Sequence, residues 1–233
     1  VVLNRLYEKY LPLTEGQAAS YIPELAKVDP SAFGIAVVTA EGKVFQAGRS
    51  EIPFSMQSTS KPFSYGMVLQ DLGREHILKK IGVEPSGEAF NSIVELEKQT
   101  HRPYNPMVNS GAIVISGWIR GNNLLEKRKN VLSHFSDYLP HSLTIDEKIY
   151  ESERKTAHRN RSIAHLLRHF GVIESDIEET LDIYFKQCSI MVSTVDLAMM
   201  AATLANGGIQ PITKKVALKK ECVGDMLALM FTC

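Results

Sequence analysis

The chain has 233 residues, 44% of them apolar, which is enough to bury the core of one large domain or two small ones. Its 26 basic and 26 acidic residues cancel, and this balance argues against a nucleic-acid or membrane-surface partner. The longest apolar stretch, 190–205, contains Asp196 and is too short to cross a membrane, so it predicts a buried helix. Three cysteines, Cys188, Cys222 and Cys233, have no metal-binding spacing and cannot all pair. Unpaired cysteines favour a reducing, cytoplasmic setting. We expect each of the three to be a small buried side chain.

The predicted elements begin with a helix and a β-hairpin. Helical spacing covers residues 1–13, and two short β-branched runs, 33–39 and 44–48, flank an Ala-Glu-Gly-Lys turn. A further helix opens near Ser58 and ends at Gly73.

The remainder of the chain is predicted to be mainly helical. A strand pair followed by a large helical block is typical of an α+β fold rather than of alternating βαβ units. No later strand is predicted, although a stable sheet needs three or more. We therefore expect the chain to be shortened at its C-terminal end. The apolar periodicity predicts helices at 90–97, 112–119, 124–139, 160–170, 177–186, 194–204 and 219–230.

The run Ser58-Thr-Ser-Lys61 is the strongest indication of chemistry. It places a hydroxyl and an amine on one face of a helix, within mutual reach. A lysine in an apolar pocket can lose its proton and act as the base that a serine nucleophile needs. The structural alternative is that Ser58 caps a helix while Lys61 faces solvent. A second copy of the spacing, Ser152-Glu-Arg-Lys155, lies among charges, so its lysine is expected to be solvated.

Four other polar residues stand out from the packing pattern. Asn109 precedes a Gly and an apolar helix, where it either caps that helix or orients a polar substrate. Glu153 and Asn160 lie seven residues apart and share a face if that stretch is helical; otherwise they are a solvated charge and a cap. Tyr184 either brings a phenol to a pocket or is a half-buried aromatic residue.

Several short runs, taken together in their order along the chain, resemble the serine-dependent glutaminase family. Each run is weak by itself, but their common order from Gln17 to Cys233 is highly specific. The runs are 21–27, 57–61, 82–87, 90–92, 105–112, 152–154, 158–161, 186–189 and 204–208.

The resemblance implies a fold like that of serine β-lactamases and transpeptidases. A mainly helical domain, 61–204, would pack on an antiparallel-sheet α/β domain formed by 1–60 with 205–233. The implied reaction is hydrolysis of L-glutamine to L-glutamate and ammonia through an acyl-enzyme, without metal or organic cofactor. The implied assembly is a homo-oligomer, either a dimer or a tetramer.

The resemblance also assigns roles by position. Ser58 would be the nucleophile, Lys61 its base, and the Ser58 N–H one oxyanion donor. The carboxylate of Glu153 would pair with the ammonium of the substrate, and amide or phenol groups would donate to the carboxylate of the substrate. Tyr184 would also pass protons near the nucleophile. The residues implied to line the glutamine site are Tyr21, Asn109, Glu153, Asn160 and Tyr184.

The chain departs from the family pattern at its end. Family members continue past the position matching Cys233 with a second active-site tyrosine and a Lys-Ser-Gly-Val-type strand that supplies the other oxyanion donor. No Lys-Ser/Thr-Gly occurs here, and loss of one such donor costs on the order of a hundred- to a thousand-fold in rate. One alternative is therefore a catalytically incomplete piece with a structural or assembly role. A β-lactamase or transpeptidase is disfavoured because Ser-x-Asn is also absent from the sequence.

A metal site is the last alternative. His165 and His169 have the i, i+4 spacing that can bind zinc, with His158 nearby. Neither an HExxH motif nor a cysteine pair supports such a site. We expect exposed helix histidines beside Arg161 and Arg168, and no metal.

Overall fold

The computed structural model describes residues 1–97 and 101–233 as a mixed helix and sheet structure. Short 3-10 turns lie at Leu25–Lys27, Gln57–Ser60 and Val94–Glu97. The strands are β1 (Gly34–Val38), β2 (Val44–Gly48), β3 (Phe54–Ser55), β4 (Thr144–Ile145) and β5 (Ile190–Val192). The helices are α1 (Val2–Tyr10), α2 (Lys61–Leu72), α3 (Arg74–Leu78), α4 (Asn109–Gly117), α5 (Leu124–Ser136), α6 (Glu147–Thr156), α7 (His158–His169), α8 (Ile177–Cys188), α9 (Thr194–Ala205) and α10 (Lys220–Thr232).

Two helices, α4 and α8, form the centre of the core. Nearly every residue of α4 is buried, and so is α8 from Thr180 to Cys188. Helices that are buried on every side lie inside a domain rather than on its surface. α4 packs against α2, α7 and α8, so four helices that carry candidate site residues meet in one place.

The predicted hairpin is confirmed. β1 and β2 pair antiparallel, with Gly34 opposite Gly48 and Val38 opposite Val44. α9 and α1 pack on the pair, and the ring of Tyr7 lies so close to Gly48 that an added Cβ would sit 2.0 Å from it. Gly48 also has a φ of +69°, so glycine satisfies two requirements there.

The prediction that no strand follows the hairpin is wrong. β3, β5 and β4 form a second antiparallel sheet, with Phe54 opposite Val192 and Ile145 opposite Ile190. Strands of two or three residues are too short to show alternating polarity, which is why the sequence pattern hides them.

The prediction of a single helix over 190–205 is also wrong. Its first residues form β5, and α9 begins only after Ser193, whose hydroxyl accepts from the Asp196 N–H while Asp196 accepts from the Ser193 N–H. This reciprocal capping box starts the helix and separates it from the strand.

Most other helix boundaries agree with the predictions within a few residues, and Gly73 (φ +79°) ends α2 as expected. Three expectations fail. Residues 90–97 contain only the 3-10 turn at Val94–Glu97. Ala157 (φ −78°, ψ 42°) interrupts the stretch between Glu153 and Asn160, so the two do not share one helix. Cys188 and Cys222 are buried, but Cys233 is exposed. Within the described parts of the chain, no helix is long and apolar enough to cross a membrane.

Candidate active site

Ser58 lies in the one-turn 3-10 helix between β3 and α2. The preceding Gln57 has a φ of +50°, an uncommon and strained conformation for a residue other than glycine. This turn is held in place because the Met56 N–H donates to Ile190 O at 2.8 Å and the Gln57 amide donates to Cys188 O at 3.4 Å. Ser58 itself is exposed and forms no capping hydrogen bond, so the helix-cap alternative for it is wrong.

Lys61 follows on α2 and is only 3% exposed, so the alternative of a solvent-facing lysine is wrong. Its Nζ donates to Asn109 Oδ1 at 2.7 Å and lies 5.5 Å from the centre of the Phe90 ring. Burial lowers the pKa of the amine to about 8, so about a tenth of it is neutral at pH 7. Lys155, in the second copy of the spacing, is exposed as predicted.

Asn109 connects the lysine to α7. It is the first residue of α4, where Val108 is the N-cap, so the alternative that Asn109 caps the helix is wrong. Its Nδ2 donates to Asn160 Oδ1 at 3.0 Å while its Oδ1 accepts from Lys61. The amide therefore has both ends engaged, and Asn160 lies within α7 rather than at its cap.

Glu153 places a buried carboxyl without a partner beside this chain of hydrogen bonds. The residue is 5% exposed, and among the residues that the structure describes its Oε2 has no hydrogen-bond partner. Burial raises its pKa to about 8 because the charged form is poorly solvated. An unpaired buried carboxyl is costly, and a cationic group beside it would remove that cost. The alternative of a solvated charge is wrong.

Two tyrosines lie on the other side of Glu153. Tyr184 on α8 is 2% exposed, so it is not half-buried, and burial raises its pKa well above the ordinary value, as do Cys188, Glu153 and Tyr21. Tyr21 is largely exposed, but its hydroxyl donates to Gln57 Oε1 at 3.5 Å. Partial burial, followed by Glu153, raises the pKa of Tyr21. Tyr21 is thus the exposed and Tyr184 the buried tyrosine next to Glu153.

These groups surround a small cavity of about 290 Å³. Four of the seven predicted residues line it directly. The other three predicted residues contact or adjoin the lining residues. The Lys61 Nζ donates to Asn109, and Tyr184 lies near Glu153 and Tyr21. Ser58 follows Gln57, which accepts a hydrogen bond from Tyr21. The lining residues are Tyr21, Ile22, Phe90, Asn91, Asn109, Glu153, Thr156, Ala157, Arg159 and Asn160.

Sequence reasoning assigned no role to several of these residues. Phe90, Asn91 and Arg159 fell within recognised runs, but a run does not tell which side chain faces a cavity. The Arg159 Nε donates to Asn91 O at 3.0 Å, so α7 holds the 90–91 loop over the site. The one feature of the sequence that pointed to these positions was that the runs 90–92 and 158–161 resemble the family.

The histidines of the metal-site alternative all lie on one helix. His158, His165 and His169 are exposed on α7. In the part of the chain that the structure describes, no group of three His, Cys, Asp or Glu residues could hold a metal ion.

Comparisons with known proteins identify the family of the chain. Residues 16–233 match the model of the Glutaminase family. Glutaminase from Trichormus variabilis is 50% identical over 232 residues, covering all of this chain and 69% of that protein. Glutaminase from Microcystis aeruginosa is 48% identical, over 99% of this chain and 68% of that protein.

Solved structures of glutaminases have the same fold as this chain. The probable glutaminase YbaS is 35% identical with a TM-score of 0.95, over 99% of this chain and 74% of that chain. A probable glutaminase from Bacillus subtilis is 35% identical with a TM-score of 0.91, over 100% of this chain and 72% of that chain. The fold is therefore α+β of the β-lactamase-like type, and the chain belongs to the glutaminase family.

Proposed function

We propose that the chain hydrolyses L-glutamine to L-glutamate and ammonia with Ser58 as nucleophile and Lys61 as base. The observation that carries the proposal is a buried amine with a pKa of about 8, three residues from an exposed serine. A lysine with this pKa is near the optimum for exchanging protons at neutral pH. Family membership supports the reaction and disfavours the β-lactamase and transpeptidase alternative.

The proposed proton transfers of the reaction cycle need only the side chains of Ser58 and Lys61. Ser58 Oγ attacks the side-chain amide carbon, and its proton passes to Lys61 Nζ. The C–N bond then breaks, and ammonia leaves with the proton that Lys61 returns. Water attacks the resulting ester, gives a proton to Lys61, and releases glutamate as Ser58 Oγ regains its proton. No metal or organic cofactor is needed for this sequence.

The cavity supplies groups for the free amino acid. Glu153 is proposed to pair with the substrate ammonium, which would satisfy its unpartnered Oε2. The amides of Asn109 and Asn160 and the hydroxyl of Tyr21 are proposed to bind the carboxylate or the reacting amide. Tyr184, which is held in its protonated form by burial, is proposed to pass a proton near the nucleophile.

The chain contains its own controls for a test. Ammonia release from L-glutamine is expected to fall at least a hundred-fold in Ser58→Ala and Lys61→Ala. Ser152→Ala and Lys155→Ala alter the second copy of the same spacing and should retain activity. A γ-glutamyl adduct on the peptide containing Ser58, trapped by acid quench and found by mass spectrometry, would support the acyl-enzyme. Full activity in Ser58→Ala would overturn the assignment.

Oligomeric state and cellular location are proposed from the family resemblance and the free cysteines. The family resemblance favours a homo-oligomer, dimer or tetramer, and the free thiols favour a cytoplasmic location. Analytical ultracentrifugation measures the oligomeric state. The alternative of a catalytically incomplete piece with an assembly role predicts a defined oligomer without ammonia release, so combining the two assays separates the alternatives.

A further inference from the structure

Beneath the candidate site, three buried polar side chains join three helices. The Ser64 hydroxyl on α2 donates to Gln187 Oε1 on α8 at 2.5 Å. Gln187 Nε2 donates in turn to Ser116 Oγ on α4 at 3.1 Å, and the Ser116 hydroxyl donates to Ala112 O. None of the three is more than 1% exposed. We call them the Gln187 network.

The Gln187 network lies one or two helical turns from three of the residues proposed to act on glutamine. Residues three or seven positions apart lie on the same face of a helix, one or two turns from each other. Each network residue therefore shares a helix face with one site residue. The pairs are Lys61 with Ser64, Asn109 with Ser116, and Tyr184 with Gln187.

A side-chain amide suits this place for a geometric reason. Its oxygen and nitrogen point in fixed directions, so a donor on α2 and an acceptor on α4 must both keep their positions relative to α8. An apolar side chain of similar size would fill the space but would tolerate small rotations and translations of the helices. Buried polar networks that are fully satisfied specify one arrangement of a core.

We propose that Gln187 is a positioning residue for glutamine hydrolysis. Its amide fixes α2 and α4 relative to α8, and so sets the position of Lys61 on α2 relative to Asn109 on α4, which accepts from the Lys61 Nζ that takes the proton of Ser58. A displacement of about 1 Å at reacting groups can cost on the order of a hundred-fold in rate. The inference rests on the proposed roles of Ser58 and Lys61.

The first test compares Gln187→Leu with a matched control on the same helix. Gln187→Leu keeps the volume but removes both hydrogen bonds between helices. Thr180→Val also removes a buried polar group from α8, but within the described part of the chain the Thr180 hydroxyl bonds only to Asp176 and Ser175. We expect Gln187→Leu to lower kcat about tenfold or more with KM changed less than about threefold. Thr180→Val should lower only the melting temperature.

A second readout does not need turnover. A fluorophosphonate probe labels an activated serine: Ser58 Oγ bonds to phosphorus, fluoride leaves, and Lys61 takes the proton. The labelling rate of Ser58 should fall in Gln187→Leu by the same factor as kcat. Ser64→Ala, a milder change, should reduce the rate by itself and add little in the Gln187→Leu background, because both act through one contact.

The outcomes are distinct. A lower melting temperature in Gln187→Leu with parental kcat and labelling rate would overturn the inference, since Gln187 would then only stabilise the fold. Additive effects of Ser64→Ala and Gln187→Leu would also contradict it. Labelling that is equally fast in Lys61→Ala would remove the proposed mechanism, and with it the basis of the inference.

Discussion

Binding of L-glutamate is expected to release a proton from Glu153 near neutral pH. Without a ligand, burial raises the pKa of this carboxyl to about 8, so about nine-tenths of it is protonated at pH 7. An α-ammonium beside the carboxyl favours its charged form and lowers that pKa. The expected release from Glu153 is therefore about 0.9 proton per site at pH 7, and it falls as the pH rises through 8. Lys61, with a pKa of about 8, can take up only about 0.1 proton at pH 7.

Titration calorimetry measures this release directly. The product L-glutamate avoids turnover, and two anionic buffers that differ in ionisation enthalpy, phosphate and Hepes, give the proton count from the difference in observed heat. Glu153→Gln should abolish the release and weaken binding roughly ten- to a hundred-fold, as expected for the loss of a charged hydrogen bond. Glu151→Gln, at a partly exposed position two residues away, should preserve both. Equal heats in the two buffers for the parent protein would refute the reasoning, and release that survives in Glu153→Gln would place the proton elsewhere.

Three further predictions concern buried groups. Lys61→Met should raise the free energy of unfolding at pH 7 by roughly 3 kcal/mol, because the folded state no longer holds an amine whose pKa falls from 10.5 to about 8. This gain should fade between pH 8 and 10.5, because the parent no longer has to bury a charged amine there. A Lys61→Met variant that is less stable than the parent in urea titrations at pH 7 would contradict the prediction. Tyr184→Phe should lower kcat about a hundred-fold without altering the shape of the pH profile, since burial keeps the phenol protonated throughout the assay range. Arg128→Met should cost roughly 3 kcal/mol in urea titrations, because it leaves the buried Asp182 carboxylate, to which the Arg128 Nε donates at 2.7 Å, without its cation. Arg154→Met removes an exposed pair and should cost less than about 1 kcal/mol; equal losses in the two variants would contradict the burial argument.

Local patterns in the sequence predicted the parts of the site that depend on local structure. The spacing of Ser58 and Lys61 left two alternatives, a buried amine that can act as a base and a solvent-facing lysine, and the structure shows the buried amine. The hairpin and most helices were also predicted, because apolar periodicity is a property of a single segment.

Features that depend on distant contacts were not predictable in this way. β5 exists because it pairs with β3 and β4, and its three residues carry no pattern of their own. The break at Ala157 is likewise invisible in the spacing of Glu153 and Asn160, although both line the same cavity from different helices. The roles of the site residues and the division into 1–60 with 205–233 and 61–204 stay predictions.

The unpaired oxygen of Glu153 has a consequence for the proteins that surround this enzyme. Glutamine is also abundant as a residue within polypeptides, where its α-nitrogen is an uncharged amide. Such a residue brings no cation to the buried carboxyl, and a cavity of about 290 Å³ has little room for a flanking chain. The proposed pairing of Glu153 with an ammonium would therefore separate free glutamine from the glutamine side chains of folded proteins, which would otherwise be open to deamidation.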